Sequence, residues 1–303
     1  MIEFRNVTKT YGEMNAVDGL SLRIERGEIF GLLGPNGAGK STAILMLCGL
    51  IQPSAGECLI DGIEVSKNPI EVKKKIGYMP EDVGFYSNLT AEQNLEFFGK
   101  LYDIPPDKRT KRIEELLDLA GLSGAGKKVG GFSKGMRQRL GIAKALINDP
   151  DVVILDEPTA NLDPQGVSDY RRIIREISDS DKTVLVSSHI LSEVSKVCSR
   201  VGIMQKGRLV RDGSWDELAR NLDLLTLPEI IINVESISKL PGFEHDDIIR
   251  TDYSEDMTKV RITASKDIRA DIGRQMFDTG VVPREISLDQ VTMEDAILSY
   301  YNG

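Results

Sequence analysis

Over the first 35 residues, hydrophobic positions alternate with polar ones in short runs, Ile2 to Val7 and Leu20 to Ile24. Period-two alternation buries one face of each run, which predicts strands. A third run, Glu28 to Leu33, leads straight into a glycine-rich turn, and Thr42 to Leu50 after it predicts a helix. Strand character returns at residues 58 to 65 and at Lys75 to Tyr78. From about Ala91 to Ile147 the spacing lengthens. Leu95, Phe98 and Leu101, then Ile113, Leu116 and Leu119, fall on shared helical faces and predict a helical insertion.

Asp151 to Leu155 and Thr183 to Ser187 are short apolar runs bounded by turn residues with a helical stretch between them, the pattern of central parallel strands covered on both faces. The core is therefore expected to be α/β. Val201 to Met204 and Arg208 to Val210 predict a hairpin around Lys206 and Gly207, and Ser214 with Glu217 suits a capping box. A boundary near Leu222 to Pro228 divides the chain into 1–222, with a helical subdomain at about 88–147, and 223–303. The second part reads strand (Glu229 to Val234), short helix, strand (Asp247 to Thr251), strand (Lys259 to Thr263), helix (Asp267 to Phe277), strand (Val281 to Ile286) and a last helix, a split βαβ order.

Composition changes this picture by exclusion. The chain of 303 residues carries a net charge of -9, and its last quarter has about twice as many acidic as basic side chains. A general affinity for nucleic acid or for a bare anionic membrane is disfavoured. Cys48, Cys58 and Cys198 match no zinc or redox spacing and suit buried thiols in a reducing compartment. No apolar run reaches the length of a signal peptide or a membrane span, so neither secretion nor direct membrane insertion is expected.

The chemistry concentrates at a few places. Gly34-Pro35-Asn36-Gly37-Ala38-Gly39-Lys40-Ser41 fits G-x-x-x-x-G-K-[ST] between a predicted strand and a predicted helix. There the backbone N–H groups and the helix N-terminus, continuing through Thr42, cradle the phosphates of ATP. Lys40 reaches the β and γ oxygens, and the Ser41 hydroxyl ligates Mg²⁺. Val152 to Leu155 ends in Asp156 and Glu157, and a buried strand does not end in paired acids without a cation or a reaction to use them. Asp156 suits Mg²⁺, and Glu157 suits the attacking water.

Phe132-Ser133-Lys134-Gly135-Met136-Arg137-Gln138, with Asp163 in Ala160-Asn161-Leu162-Asp163 and His189 after the Thr183 strand, resembles the ATP-binding cassette subunits of transporters. The resemblance covers residues 1 to about 220. It implies a P-loop nucleotide-hydrolase core with an antiparallel β subdomain and a helical insertion, followed here by a small α+β domain. Within it, Ser133, Lys134, Gly135 and Met136 correspond to the signature that meets ATP held by a second copy. Lys134 either adds a cation there or points to solvent. Asn161 and Asp163 belong to the dimer-interface loop, and His189 matches the histidine that senses the γ-phosphate. Tyr11 matches the aromatic that stacks on adenine, with Val17 beside the base. Glu81 stands where the family has a glutamine that touches Mg²⁺, and Asp82 to Asn94 where such subunits dock on a partner.

Two function classes follow. One is the ATPase subunit of a transporter, peripheral on the cytoplasmic face through a separate membrane-spanning permease. The form of the signature and the appended domain, ending in Val291 to Ala296, lean towards exporters. The other is a soluble ATPase of the same family acting on ribosomes or DNA. The C-terminal domain shows no convergent polar cluster and suits packing or dimer contact, or a small regulatory ligand; His245, within it, is read as structural.

Overall fold

The computed structural model describes residues 1–160, 162–178, 180–221 and 230–290. Two compact units emerge, Met1–Trp215 and Asp216–Gly303. In chain order the first contains β1 (Ile2–Tyr11), β2 (Met14–Ile24), β3 (Ile29–Leu33), α1 (Lys40–Leu47), β4 (Ala55–Ile60), β5 (Ile63–Glu64), α2 (Pro69–Lys75) and β6 (Ile76–Met79). The helical segment follows with α3 (Ala91–Leu101), α4 (Pro106–Leu119) and α5 (Lys134–Ala145). Then come β7 (Val152–Asp156), α6 (Pro164–Ser178), β8 (Thr183–Ser188), α7 (Leu191–Val194), β9 (Arg200–Gln205) and β10 (Arg208–Ser214), and the division between the units falls at the first residue of α8 (Trp215–Asn221).

β1, β2, β4 and β5 form an antiparallel sheet in the order β2-β1-β4-β5. Its buried Ile2, Phe4, Val7, Leu20, Leu22 and Ile24 are separated by polar residues, exposed apart from Glu3, and pack into one core with α1 and the central strands. The 58 to 65 run is two strands, because Asp61 and Gly62 at φ +50° and +77° reverse the chain between Ile60 and Ile63. The second sheet runs β10-β9-β3-β8-β7-β6, with every pair parallel except β10 with β9. Every residue of β3, β7 and β8 is buried, as suits their largely apolar runs, and the polar ends of β7 and β8 are buried with them. In a parallel sheet the carboxyl ends of neighbouring strands share one edge. The loops after β3, β7 and β8 therefore converge.

Thr90 caps α3 through a reciprocal box with Gln93, and Ser133 caps α5. α5 lies hard against β6. A Cβ on Gly77 would stand 1.8 Å from the Ala145 carbonyl oxygen, so only glycine permits that approach.

The second unit contains β11 (Ile230–Ser236), β12 (Ile248–Tyr253), β13 (Lys259–Ala264), α9 (Arg269–Asp278) and β14 (Pro283–Gln290), its sheet antiparallel in the order β12-β13-β11-β14. That is split βαβ order with one departure: the segment between β11 and β12 is not helical. Pro241 and Gly242 break the helix there, while Leu240 and Phe243 on either side bury themselves in the core with Ile232, Ile262 and Ile272. Tyr253 Oη fastens the loop, donating to the Pro241 carbonyl at 2.9 Å and accepting from the Phe243 N–H at 3.2 Å. The last expected helix, with Val291 to Ala296, and the boundary near Leu222 to Pro228 lie outside the described residues.

Candidate functional site

The loop from β3 to α1 is shaped by glycine. Gly37 and Gly39 adopt φ +81° and +102°, and a Cβ on Gly39 would meet the Ala16 carbonyl oxygen at 2.3 Å. One side chain on Gly34 would likewise strike the Met204 carbonyl oxygen at 2.5 Å. Asn36 to Thr42 line a cleft of roughly 620 Å³ together with Tyr11, Met14, Asn15, Ala16, Glu81, Glu157, Lys206 and Gly207. Backbone N–H groups and the amino end of α1 face it, so the cleft favours anions.

Lys40 is buried beneath the loop. Its ammonium donates to the carbonyls of Gly34 at 2.7 Å and Pro35 at 3.3 Å and pairs with Glu157 Oε1 at 3.1 Å. The other Glu157 oxygen lies 2.8 Å from His189 Nδ1. Glu157 sits at φ +47°, an uncommon conformation for a residue with a side chain, which turns its carboxylate from the strand end towards the loop. His189 is 42% exposed, so one face of its ring remains open to a ligand.

Asp156 is held from two sides. Ser41 Oγ and Ser187 Oγ both donate to its Oδ1, at 3.3 and 2.5 Å, and Ser187 Oγ also accepts from the Glu157 N–H at 2.9 Å. Burial pushes the Asp156 carboxyl above the usual carboxylate range, and the two hydroxyls and Lys40 work against that shift while Glu157 adds to it. A single serine on β8 therefore holds Asp156 by its carboxylate and Glu157, the next residue, by its backbone N–H.

Of the residues expected at the cleft, Tyr11, Asn36 to Thr42, Glu81 and Glu157 line it, with Asp156 beneath Ser41 and His189 on Glu157. Gly34 and Pro35 contribute their carbonyls to Lys40. Tyr11 is exposed, with the Lys9 ammonium 5.1 Å from its ring centroid. Val17 is corrected: it is fully buried in the core, because strand alternation points it inward, and Ala16 takes the place at the cleft wall. Ser133, Lys134, Gly135 and Met136 do not line this cleft. Ser133 Oγ accepts from the Met136 N–H at 3.2 Å, and Ser133 and Lys134 are exposed, with the Lys134 side chain in solvent. Asp163 is exposed and accepts from the Gly166 N–H at the start of α6, while Asn161 lies outside the described residues. Ser187, Asn15, Met14 and Lys206 were not anticipated. The run of buried residues that marks β8 hid its polar end.

Residues 17–160 match the model of the ABC transporter family. The chain is 36% identical to the bacitracin transport ATP-binding protein BcrA of Bacillus licheniformis over all of its own length and 98% of the relative's. It belongs to the ATP-binding subunits of ABC transporters. The linearmycin resistance ATP-binding protein LnrL of Bacillus subtilis is 36% identical across 77% of the chain and 75% of its own length. Among solved structures, an ABC transporter ATP-binding subunit superposes with a TM-score of 0.68 at 29% identity, over 74% of this chain and 94% of that one. The dimeric MJ0796 cassette, also solved with ADP and phosphate after hydrolysis, gives 0.65 over 71% and 98%. As an ABC subunit the chain is an ATPase with a P-loop core, and such subunits work as dimers with membrane permeases. Among the described residues no helix is long and apolar enough to cross a membrane.

Proposed function

We propose that the chain energises an exporter, with two copies closing head to tail so that each cleft is completed by the Ser133 end of the other copy's α5. The observation that carries this reading is the separation of two phosphate-suited elements within one chain. The cleft is lined without Ser133, Lys134, Gly135 or Met136, while these four sit at an accessible, serine-capped helix start. A helix end of that kind, offered by a second chain, would meet the far side of a triphosphate lying on the loop. Asp163, exposed beside α6, would border the same contact.

Within the cleft, Lys40 and Glu157 neutralise each other. A phosphate oxygen competing for the ammonium frees Glu157 Oε1 to take a proton from water, while His189 holds the other oxygen in place. Tyr11 offers a π-face to adenine. Ser41 and Asp156 supply two hard oxygen donors, and among the described residues no cluster of three or more acidic, histidine or cysteine ligands exists. Few protein ligands and room for water and phosphate fit Mg²⁺, which keeps much of its hydration. When bound, the metal would offset phosphate charge, with Glu81 at the cleft wall as a third oxygen.

Export through a separate membrane-spanning partner is supported by the names of the relatives, bacitracin transport and linearmycin resistance. Glu157→Gln should accumulate an MgATP-dependent dimer in light scattering. Gentle detergent extraction should bring a multi-span membrane protein down with the chain in comparable amount. A monomeric Glu157→Gln beside an active parent would sink the shared site, and ribosomal proteins or nucleic acid in the extract would replace the transporter reading with a soluble one.

A further inference from the structure

The hairpin between β9 and β10 closes with only two residues, Lys206 and Gly207, since Gln205 pairs directly with Arg208. Both have positive φ, +49° and +82°, as a two-residue I′ turn requires. The first position of such a turn is strongly suited to Asn, Asp or Gly, and lysine there is conformationally unfavourable. Nothing in the hairpin itself uses the ammonium. Among the described residues no carboxylate lies within ion-pair distance of Lys206, whereas its neighbour Arg208 is held by Asp18.

The turn is fixed to the phosphate loop. Gly207 N–H donates to the Ala38 carbonyl at 3.0 Å, and the Gly207 carbonyl accepts from the Asp18 N–H at 2.8 Å. A Cβ on Gly39 would come within 3.4 Å of the Gly207 Cα, and one on Gly207 within 3.0 Å of the Ala16 carbonyl oxygen. Lys206 thus stands on the cleft wall where the Asn15–Ala16 end of β2 meets the middle of the loop. Lys40 occupies the other end, tied to Gly34, Pro35 and Glu157. Cleft charge is also uneven: Glu81 and Glu157 line it against Lys40 and Lys206, so Lys206 is the lining cation not already paired with a carboxylate.

We propose that Lys206 is a nucleotide-positioning residue whose ammonium binds the α-phosphate, between the base held at Tyr11 and the β-phosphate held over Gly37 to Gly39. The proposal rests on the nucleotide lying in this cleft in that direction. The α-phosphate is shared by ATP and ADP, so loss of the lysine weakens both by a similar factor. A contact to the γ-phosphate would weaken ATP alone.

Lys206→Asn is the informative variant, because asparagine suits the turn and removes the charge. Binding of ATP and ADP to the whole chain is measured by titration calorimetry, and thermal unfolding is followed in parallel. The expected result is a loss on the order of tenfold in affinity for both nucleotides. KM for ATP should rise with kcat little changed, the unfolding temperature should be equal or higher, and Lys206→Arg should recover most of the affinity. Unchanged ADP affinity in Lys206→Asn overturns the proposal, as does a loss confined to ATP or a loss that tracks lowered unfolding temperature. If the parent chain itself binds neither nucleotide, the reading of the cleft fails instead, which is a distinguishable result.

Discussion

Replacing Ser187 with alanine removes one hydroxyl and two hydrogen bonds at once. The Glu157 N–H, donating at 2.9 Å within a buried strand end, loses its acceptor, and Asp156 Oδ1 loses its donor at 2.5 Å. A buried N–H left without a partner costs about 1–3 kcal/mol, and a hydrogen bond to a charged group contributes about 1.5–3 kcal/mol. Allowing for partial relaxation, Ser187→Ala should destabilise the first unit by about 3 kcal/mol. For a unit of this size that is a fall of roughly 6–12 °C in unfolding temperature. Activity should fall by a separate route, because Glu157 and Asp156 lose the group that orients them, by roughly 10- to 100-fold as for other groups that fix ligating carboxylates. Differential scanning calorimetry and phosphate release measure the two effects on one preparation. Ser187→Thr, which keeps the hydroxyl, should recover much of both. If Ser187→Ala unfolds within about 1 °C of the parent and turns over at the same rate, the serine does not hold the acids and the account of the β7–β8 strand ends is wrong.

The raised carboxyl of Asp156 makes a prediction of opposite sign. A carboxylate whose folded value lies above its unfolded 3.8 has its destabilising effect absent below 3.8, and that effect grows as pH rises through the folded value. Asp156→Asn should therefore match the parent in stability in acid and exceed it near neutrality, while losing turnover; urea unfolding at several pH values checks this. His189→Ala should leave ATP affinity and unfolding temperature nearly unchanged, since the ring is 42% exposed, yet lower kcat by roughly 10²–10⁴-fold, which phosphate release will read. Gly77→Ala should destabilise the first unit by about 3 kcal/mol in denaturant unfolding, since its Cβ would lie 1.8 Å from the Ala145 carbonyl oxygen.

The phosphate loop was legible because its glycines answer a local demand: a chain that must curl at φ +81° and +102° has few residue choices. The central strands were legible for a similar reason, since burial on both faces favours apolar runs such as Val152 to Leu155 and Val184 to Val186. Where the signal failed, the deciding contact was distant in sequence. Val17 follows a strand alternation that places it in the core, and only its Lys9 partner on β1 fixes which neighbour reaches the cleft. Ser187 sits at the end of a buried run and carries no local mark of the two acids thirty residues earlier. Lys206 was seen as a hairpin turn, but its place beside Ala38 depends on tertiary packing of β9 and β10 against the loop. The missing helix between β11 and β12 was lost to Pro241 and Gly242, a local stop signal that the apolar pattern around it obscured.

The same packing that hides these residues from the sequence ties the two ends of the first unit together. α5 begins at exposed Ser133 and runs back along β6, where Gly77 admits Ala145 and where Gly141 faces Met79 and Val83 with room for no larger side chain. Buried Gln138 donates from that helix to the Glu81 carbonyl at 3.3 Å. Glu81 lines the cleft, so one wall of the cleft is packed onto the helix whose Ser133 start is exposed. Close-packed contacts of this kind deform little, and a shift of the Glu81 segment must carry α5 with it. In the head-to-tail pairing proposed above, occupancy of one cleft would thereby bear on how the Ser133 end meets a second copy, a mechanical link that needs no contact between the two phosphate-suited elements of one chain.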